Sequence, residues 1–90
     1  MPACEITIIN KLGLHARAAA KFVGIAGRFP CQVKIGRAPE SLVDGKSIMG
    51  VMMLAAPCGT TLDIVCEGPD APAAAEALEA LIEDRFGEPD

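Results

Sequence analysis

Apolar residues recur along this chain with two different periods, and the changes of period mark out its elements. Glu5-Ile6-Thr7-Ile8-Ile9 is β-branched and alternates at its start, which predicts a first strand. From Ala16 to Ala26 the period becomes helical. Ala19, Phe22, Val23 and Ala26 fall at i, i+3, i+4 and i+7 on one stripe, and Gly27 with Pro30 beyond it marks the stop. Cys31-Gln32-Val33-Lys34-Ile35 alternates again, as a half-buried strand does, and Ser41-Leu42-Val43 predicts a short strand after a turn. Asp44-Gly45 reads as a turn, and Ser47 as the N-cap of a short helix from Ile48 to about Leu54. Thr60 to Glu67 predicts a strand with Leu62, Ile64 and Cys66 on one face. Asp70 stands where it can cap a last helix, Ala71 to Arg85, whose stripe is Ala74, Leu78, Leu81 and Ile82 and whose end is marked by Gly87 and Pro89.

The order β-α-β-β-α-β-α, with short alternating strands, favours an antiparallel sheet covered on one face, an α+β two-layer architecture. Ninety residues set the expectation of a single domain over 1–90. Aromatics are only 3% of the chain and Trp and Tyr are absent, so the core has to come from Ile, Val, Leu, Met and Ala.

The net charge of −4 argues against nucleic acid, whose binders carry basic stripes and stacking aromatics. The charge is unevenly spread. Residues 1–46 hold seven of the eight Lys and Arg, whereas residues 47–90 hold nine of the twelve acids. Lys11, Arg17, Lys21 and Arg28 make the first helix a basic neighbourhood that would attract phosphate or an acidic partner. The longest apolar stretch, Ile48 to Pro57, is too short for membrane insertion. Cys4, Cys31, Cys58 and Cys66 show no C-x-x-C spacing, so no metal site is expected. With no signal-type start, the expectation is a reduced cytoplasmic protein whose cysteines mostly act as small core residues.

The one histidine, His15, falls where the first strand region gives way to the helix. A helix start offers unpaired N–H groups, here those of Ala16, Arg17 and Ala18, and the positive pole of the helix dipole. Gly13 permits close approach, and Arg17 adds a planar donor fork suited to phosphate oxygens. A nucleophilic imidazole facing an anion cradle suits acceptance of a phosphoryl group.

Leu12-Gly13-Leu14-His15-Ala16-Arg17, followed by Gly45-Lys46-Ser47-Ile48-Met49-Gly50-Val51-Met52, resembles the HPr family, the histidine-containing phosphocarriers of the bacterial phosphotransferase system. Gly59-Thr60-Thr61-Leu62 and the acidic last helix fit as well, so the resemblance spans the chain. It implies an open-faced β-sandwich with a four-stranded antiparallel sheet in order 1-4-2-3 and three helices on one face. It implies that His15 takes a phosphoryl group on Nδ1 from phospho-Enzyme I, assisted by Arg17, and passes it to a IIA protein or domain. Ser47 matches the family's regulatory serine, which brings in a serine kinase/phosphorylase as a conditional partner. Ile48, Met49 and Met52 match positions that meet partners, with Lys21 at the rim. The family's usual proline after the arginine is replaced by Ala18, which keeps helix propensity and restores a donor in the first turn.

The resemblance implies a monomeric carrier without cofactor, a stoichiometric intermediate rather than a stand-alone enzyme. Acceptors of the sugar-uptake and nitrogen-related branches are both compatible. Met49, Met52 and Met53 also suit gap-filling in a core, so exposure decides between a core role and an adaptable docking patch. Two other readings are a non-carrier regulatory protein-binding module on the same fold, and a small metal or redox protein using the cysteines.

Overall fold

The computed structural model describes residues 3–88, in which four strands and three helices follow the expected order. The strands are β1 (Ala3–Thr7), β2 (Gln32–Gly36), β3 (Val43–Asp44) and β4 (Thr61–Glu67); the helices are α1 (Ala16–Ala26), α2 (Ile48–Met52) and α3 (Ala71–Glu83). The sheet is antiparallel throughout, in order β1-β4-β2-β3.

The register follows from the alternation. Leu62, Ile64 and Cys66 of β4 are buried, and they stand opposite Ile6 and Cys4 of β1 and opposite Ile35 and Val33 of β2. A slip by one residue would turn this whole apolar set to solvent. The buried face meets Phe22, Ala18, Ala19 and Ala26 of α1 and Ala71, Ala74, Leu78 and Ile82 of α3 in one core. Val51 is the buried residue of α2. Alanines at so many core positions let the helices lie close on the sheet, and Phe22 and Phe86 fill much of the remaining space.

Several boundaries differ from the sequence reading. The first strand runs from Ala3 to Thr7 rather than from Glu5 to Ile9. Ile8 stays buried and exchanges bonds with the loop before β4, through Ile8 N–H to the Thr60 carbonyl at 2.8 Å and Gly59 N–H to the Ile8 carbonyl at 2.7 Å. The chain leaves the ladder there to deliver residues 10–15 to the helix start. The short strand is Val43–Asp44, paired with Ile35 and Lys34, so Asp44 belongs to the sheet and not to a turn. Gly45 follows because a Cβ there would stand 2.7 Å from Val33 Cγ1. The second helix stops at Met52, short of Leu54. Arg37 Nη2 takes the carbonyls of Leu54 and Ala55 at 3.0 and 3.2 Å, so the chain beyond the helix is tied to the β2–β3 connection instead of continuing.

The last helix begins as expected, but Asp70 makes no side-chain cap bond. Ala74 N–H bonds its backbone carbonyl instead, at 3.0 Å. The helix ends at Glu83, and a 3₁₀ turn covers Arg85–Gly87. Arg85 and Phe86 both take φ of 55°, in the left-handed region. Left-handed backbone costs on the order of 1–2 kcal/mol per residue. Full burial of Phe86 contributes about 1.5–3 kcal/mol and offsets much of that. Pro89, read as part of the helix stop, lies outside the described residues.

Candidate functional site

His15 is the N-cap residue of α1, with extended backbone at φ −83° and ψ 179°. Its Nδ1 accepts the N–H of Arg17 at 3.3 Å, and its carbonyl takes the N–H of Ala19 at 2.8 Å, the first turn of the helix. The imidazole therefore does the work that a Ser or Asp side chain does at most caps. Gly13 sets the approach. At φ +71° it lies against the loop after α2, where a Cβ would come within 2.6 Å of the Ala56 carbonyl. That carbonyl already accepts the N–H of Leu14 at 2.8 Å, which pins the segment just before the histidine.

The histidine side chain is 29% exposed. Its second nitrogen, Nε2, bonds Oε2 of Glu88, from the segment after the 3₁₀ turn. The other oxygen, Oε1, accepts from Asn10 Nδ2 at 3.0 Å. Asn10 is completely buried and also donates to the Gly13 carbonyl at 2.7 Å, so one amide ties the terminal segment to the turn before the histidine. Lys21 Nζ donates to the Phe86 carbonyl at 2.6 Å. The Asn10 amide first, and the His15 ring next, hold the Glu88 carboxyl below the usual carboxylate range. A lowered folded-state value stabilises the fold above the range where a free glutamate titrates. That contribution is lost as pH falls through the lowered value.

The first-turn donors fall as expected on Ala16, Arg17 and Ala18, but the N–H of Arg17 is engaged by the His15 ring. Arg17 is exposed, and its guanidinium makes no hydrogen bond or ion pair among the described residues. Ala18 is fully buried against the core. Lys21 is exposed at the edge of α1, with its ammonium on the terminal turn.

Ser47 is the N-cap of α2; its Oγ accepts the N–H of Gly50 at 3.2 Å. Replacing it with alanine should cost about 1 kcal/mol in chemical denaturation, as the loss of a cap does. Met49, Met52 and Met53 are not core residues. Met49 and Met53 are 71% and 78% exposed, and Ile48 and Met52 lie open beside them. Leu12, on the turn before His15, is 71% exposed too. Sequence reasoning passed over Leu12, although a leucine between Lys11 and Gly13 with no periodic partner was the available signal. Asn10 and Glu88 were missed as well, and the basic neighbourhood expected around His15 contains a carboxylate. Nothing separated that glutamate from the other acids of the acidic half.

Cys31 and Cys66 are buried and Cys4 is half-buried, in keeping with small core residues, but Cys58 is exposed in the loop before β4. Burial, with Cys31 and Cys4 nearby, pushes the Cys66 thiol up to about 11. At pH 8 that leaves a thiolate fraction of about one in a thousand, and the thiolate is the reactive form. A thiol reagent at pH 8 should therefore modify Cys58 in the native protein. Cys31 and Cys66 should react at least about a hundredfold more slowly until denaturant is added, as mass spectrometry of digests can follow. Among the described residues no group of three or more His, Cys, Asp or Glu is placed to hold a metal ion, and no helix is long and apolar enough to cross a membrane.

A four-stranded open sheet in this order, helices on its buried face and a histidine capping the first of them define a class of small α+β proteins with an imidazole at a helix start. A family profile described as "PTS HPr component phosphorylation site" matches residues 3–84. The phosphocarrier protein HPr of Pseudomonas aeruginosa is 69% identical over 88 residues, 98% of each chain. The crystal structure of HPr-C-His from Thermoanaerobacter tengcongensis superposes with a TM-score of 0.91 at 43% identity, covering 98% of both chains. An HPr dimer from the same organism is similar at a TM-score of 0.76 and 43% identity, covering 98% of this chain and all of that one. The chain belongs to the HPr family of phosphocarriers of the bacterial phosphotransferase system.

Proposed function

We propose that this chain, as a single HPr-like domain over residues 1–90, carries a phosphoryl group on Nδ1 of His15, received from phospho-Enzyme I and passed to a histidine of a IIA protein or domain. The observation that carries this reading is the N-cap bond: Nδ1 accepts the Arg17 N–H at 3.3 Å, so its lone pair faces the open helix start. A phosphoryl group arriving on Nδ1 would displace that N–H and find it ready to donate to a phosphate oxygen. The Arg17 guanidinium supplies a second, charged set of donors. In this reading the carrier acts as a monomer.

The exposed face formed by Ile48, Met49 and Met52 is the docking surface for donor and acceptor in this reading. Methionine side chains repack easily, which suits a protein that must meet two partners in turn and release both. Incubation with Enzyme I and radiolabelled phosphoenolpyruvate should load one phosphoryl group per chain, labile in acid and stable in alkali. Subsequent addition of a IIA protein should discharge it. Absence of loading, or a label with the opposite stability, overturns the reading in favour of a non-carrier binding module.

Ser47 is the control point in this proposal. Phosphorylation there adds roughly −1.5 to −2 charges to a helix start that tolerates anions, so the fold persists. The charge would sit at the edge of the apolar face and oppose an acidic partner. Ser47→Asp should keep a native circular dichroism spectrum while loading by Enzyme I slows about tenfold or more. Loading at the wild-type rate would remove electrostatic blocking as the mechanism.

A further inference from the structure

We propose that Glu88 is a positioning residue for phosphoryl transfer: its carboxylate holds His15 in the tautomer that carries its proton on Nε2 and presents Nδ1 as the nucleophile. The inference rests on the carrier reading of His15. It concerns a residue outside the segment 3–84 that matches the family profile.

A neutral imidazole has one N–H and one acceptor nitrogen. Nδ1 here faces the N–H of Arg17, and Nε2 faces a carboxylate oxygen. Only the Nε2–H tautomer satisfies both contacts. The other one would set N–H against N–H at Arg17 and a lone pair against an anion at Glu88. Orientation of a histidine through its second nitrogen is a general device for fixing which nitrogen reacts.

The carboxylate is itself held. Oε1 is fixed by Asn10 Nδ2 at 3.0 Å, and Asn10 is fully buried and anchored on the Gly13 carbonyl. Phe86 is buried two residues earlier, and Lys21 Nζ holds its carbonyl at 2.6 Å. Only 11% of the Glu88 side chain remains exposed. The charged groups around the ring are thus Glu88, Lys21 from α1 and Arg17 at the helix start. The lowered titration of Glu88 keeps it ionised at neutral pH.

The chemistry balances without moving a proton. The Nδ1 lone pair forms the bond to phosphorus, and the bond between phosphorus and the donor atom breaks with its electron pair left on the donor. The His15 ring, substituted on Nδ1 and protonated on Nε2, becomes cationic, and the adjacent carboxylate compensates that charge. On discharge the Nδ1–P electron pair returns to Nδ1, and the Nε2 proton stays in place throughout.

The test uses the full chain, ¹⁵N-labelled, as wild type, Glu88→Ala and Glu88→Gln. The unphosphorylated wild type at a pH where the ring is neutral should show a pyrrole-type Nε2 and a pyridine-type Nδ1. In Glu88→Ala the two resonances should move toward each other as the tautomers mix. Loading by Enzyme I and phosphoenolpyruvate should slow roughly tenfold, the lower end of what loss of a histidine's orienting partner costs. Glu88→Gln, whose amide oxygen still accepts from Nε2–H, should restore most of the tautomer pattern and part of the rate. A wild-type tautomer pattern in Glu88→Ala overturns the proposal, as does an altered pattern with an unchanged loading rate. The tautomer measurement needs no phosphate, so it decides on Glu88 separately from the carrier reading, which stands or falls on loading of His15 itself.

Discussion

A His15→Ala variant takes up no phosphate that acid releases, under conditions that load the wild-type chain completely. His15 is the only imidazole in the sequence, so no other side chain can form a phosphoramidate of that kind. A phosphate ester on Ser47 would survive acid and be told apart by that property. The variant should fold. It loses the bond from Arg17 N–H to Nδ1 and the contact to Glu88, and loss of an N-cap costs typically about 1 kcal/mol against a total stability of roughly 5–15 kcal/mol. Helical circular dichroism alongside the labelling assay separates lost chemistry from lost fold. Acid-labile label retained by this variant would overturn the carrier reading.

Arg17→Ala should slow loading by about a hundredfold, which is the scale for removing one preorganised donor to a developing anion. Its effect on stability should stay below about 1 kcal/mol, as for a surface substitution. The two effects separate because Arg17 contributes to the fold through its backbone N–H, which alanine retains, while the exposed guanidinium makes no bond among the described residues. Arg17→Lys should recover only part of the rate, since an ammonium restores the charge but not the planar fork. Stopped loading assays against Enzyme I, with denaturant titrations of the same samples, measure both quantities. An unfolded variant would make Arg17 a structural residue, and normal loading would remove it from the transfer site.

Much of the architecture was legible in the chain because local periods and global burial agree. Of the stripe Ala19, Phe22, Val23 and Ala26, three residues are buried and Val23 is partly buried at the edge of the core, the alternation Leu62, Ile64, Cys66 is buried as read, and α1 runs from Ala16 to Ala26 as expected. The boundaries that moved did so where a distant partner intervened. Arg37 ties down the carbonyls beyond α2, and Ile35 and Lys34 draw Val43 and Asp44 into the sheet. Burial of Phe86 pulls the chain off the helical path of α3. Arg37, seventeen positions from Leu54, and the core into which Phe86 packs both lie outside the helical segments whose period is counted.

The candidate site divides in the same way. His15 at a helix start, Gly13 before it, Arg17 after it and Ser47 before the second helix are all short-range features, because caps, glycine turns and first-turn donors involve residues a few positions apart. By itself the sequence determined those, together with the order of the elements and the apolar faces that pack them. Whether Met49, Met52 and Met53 fill the core or meet solvent was undecided by spacing, since both outcomes share one helical face. The tertiary structure decided it by spending only Val51 of that helix on the core. It also decided the second partner of the imidazole. Glu88 stands seventy-three positions from His15, and the two meet because the left-handed backbone at Arg85 and Phe86 turns the chain back and Asn10 receives it. A contact of that sequence separation depends on how the packed elements are placed in space, and no local pattern of residues encodes it.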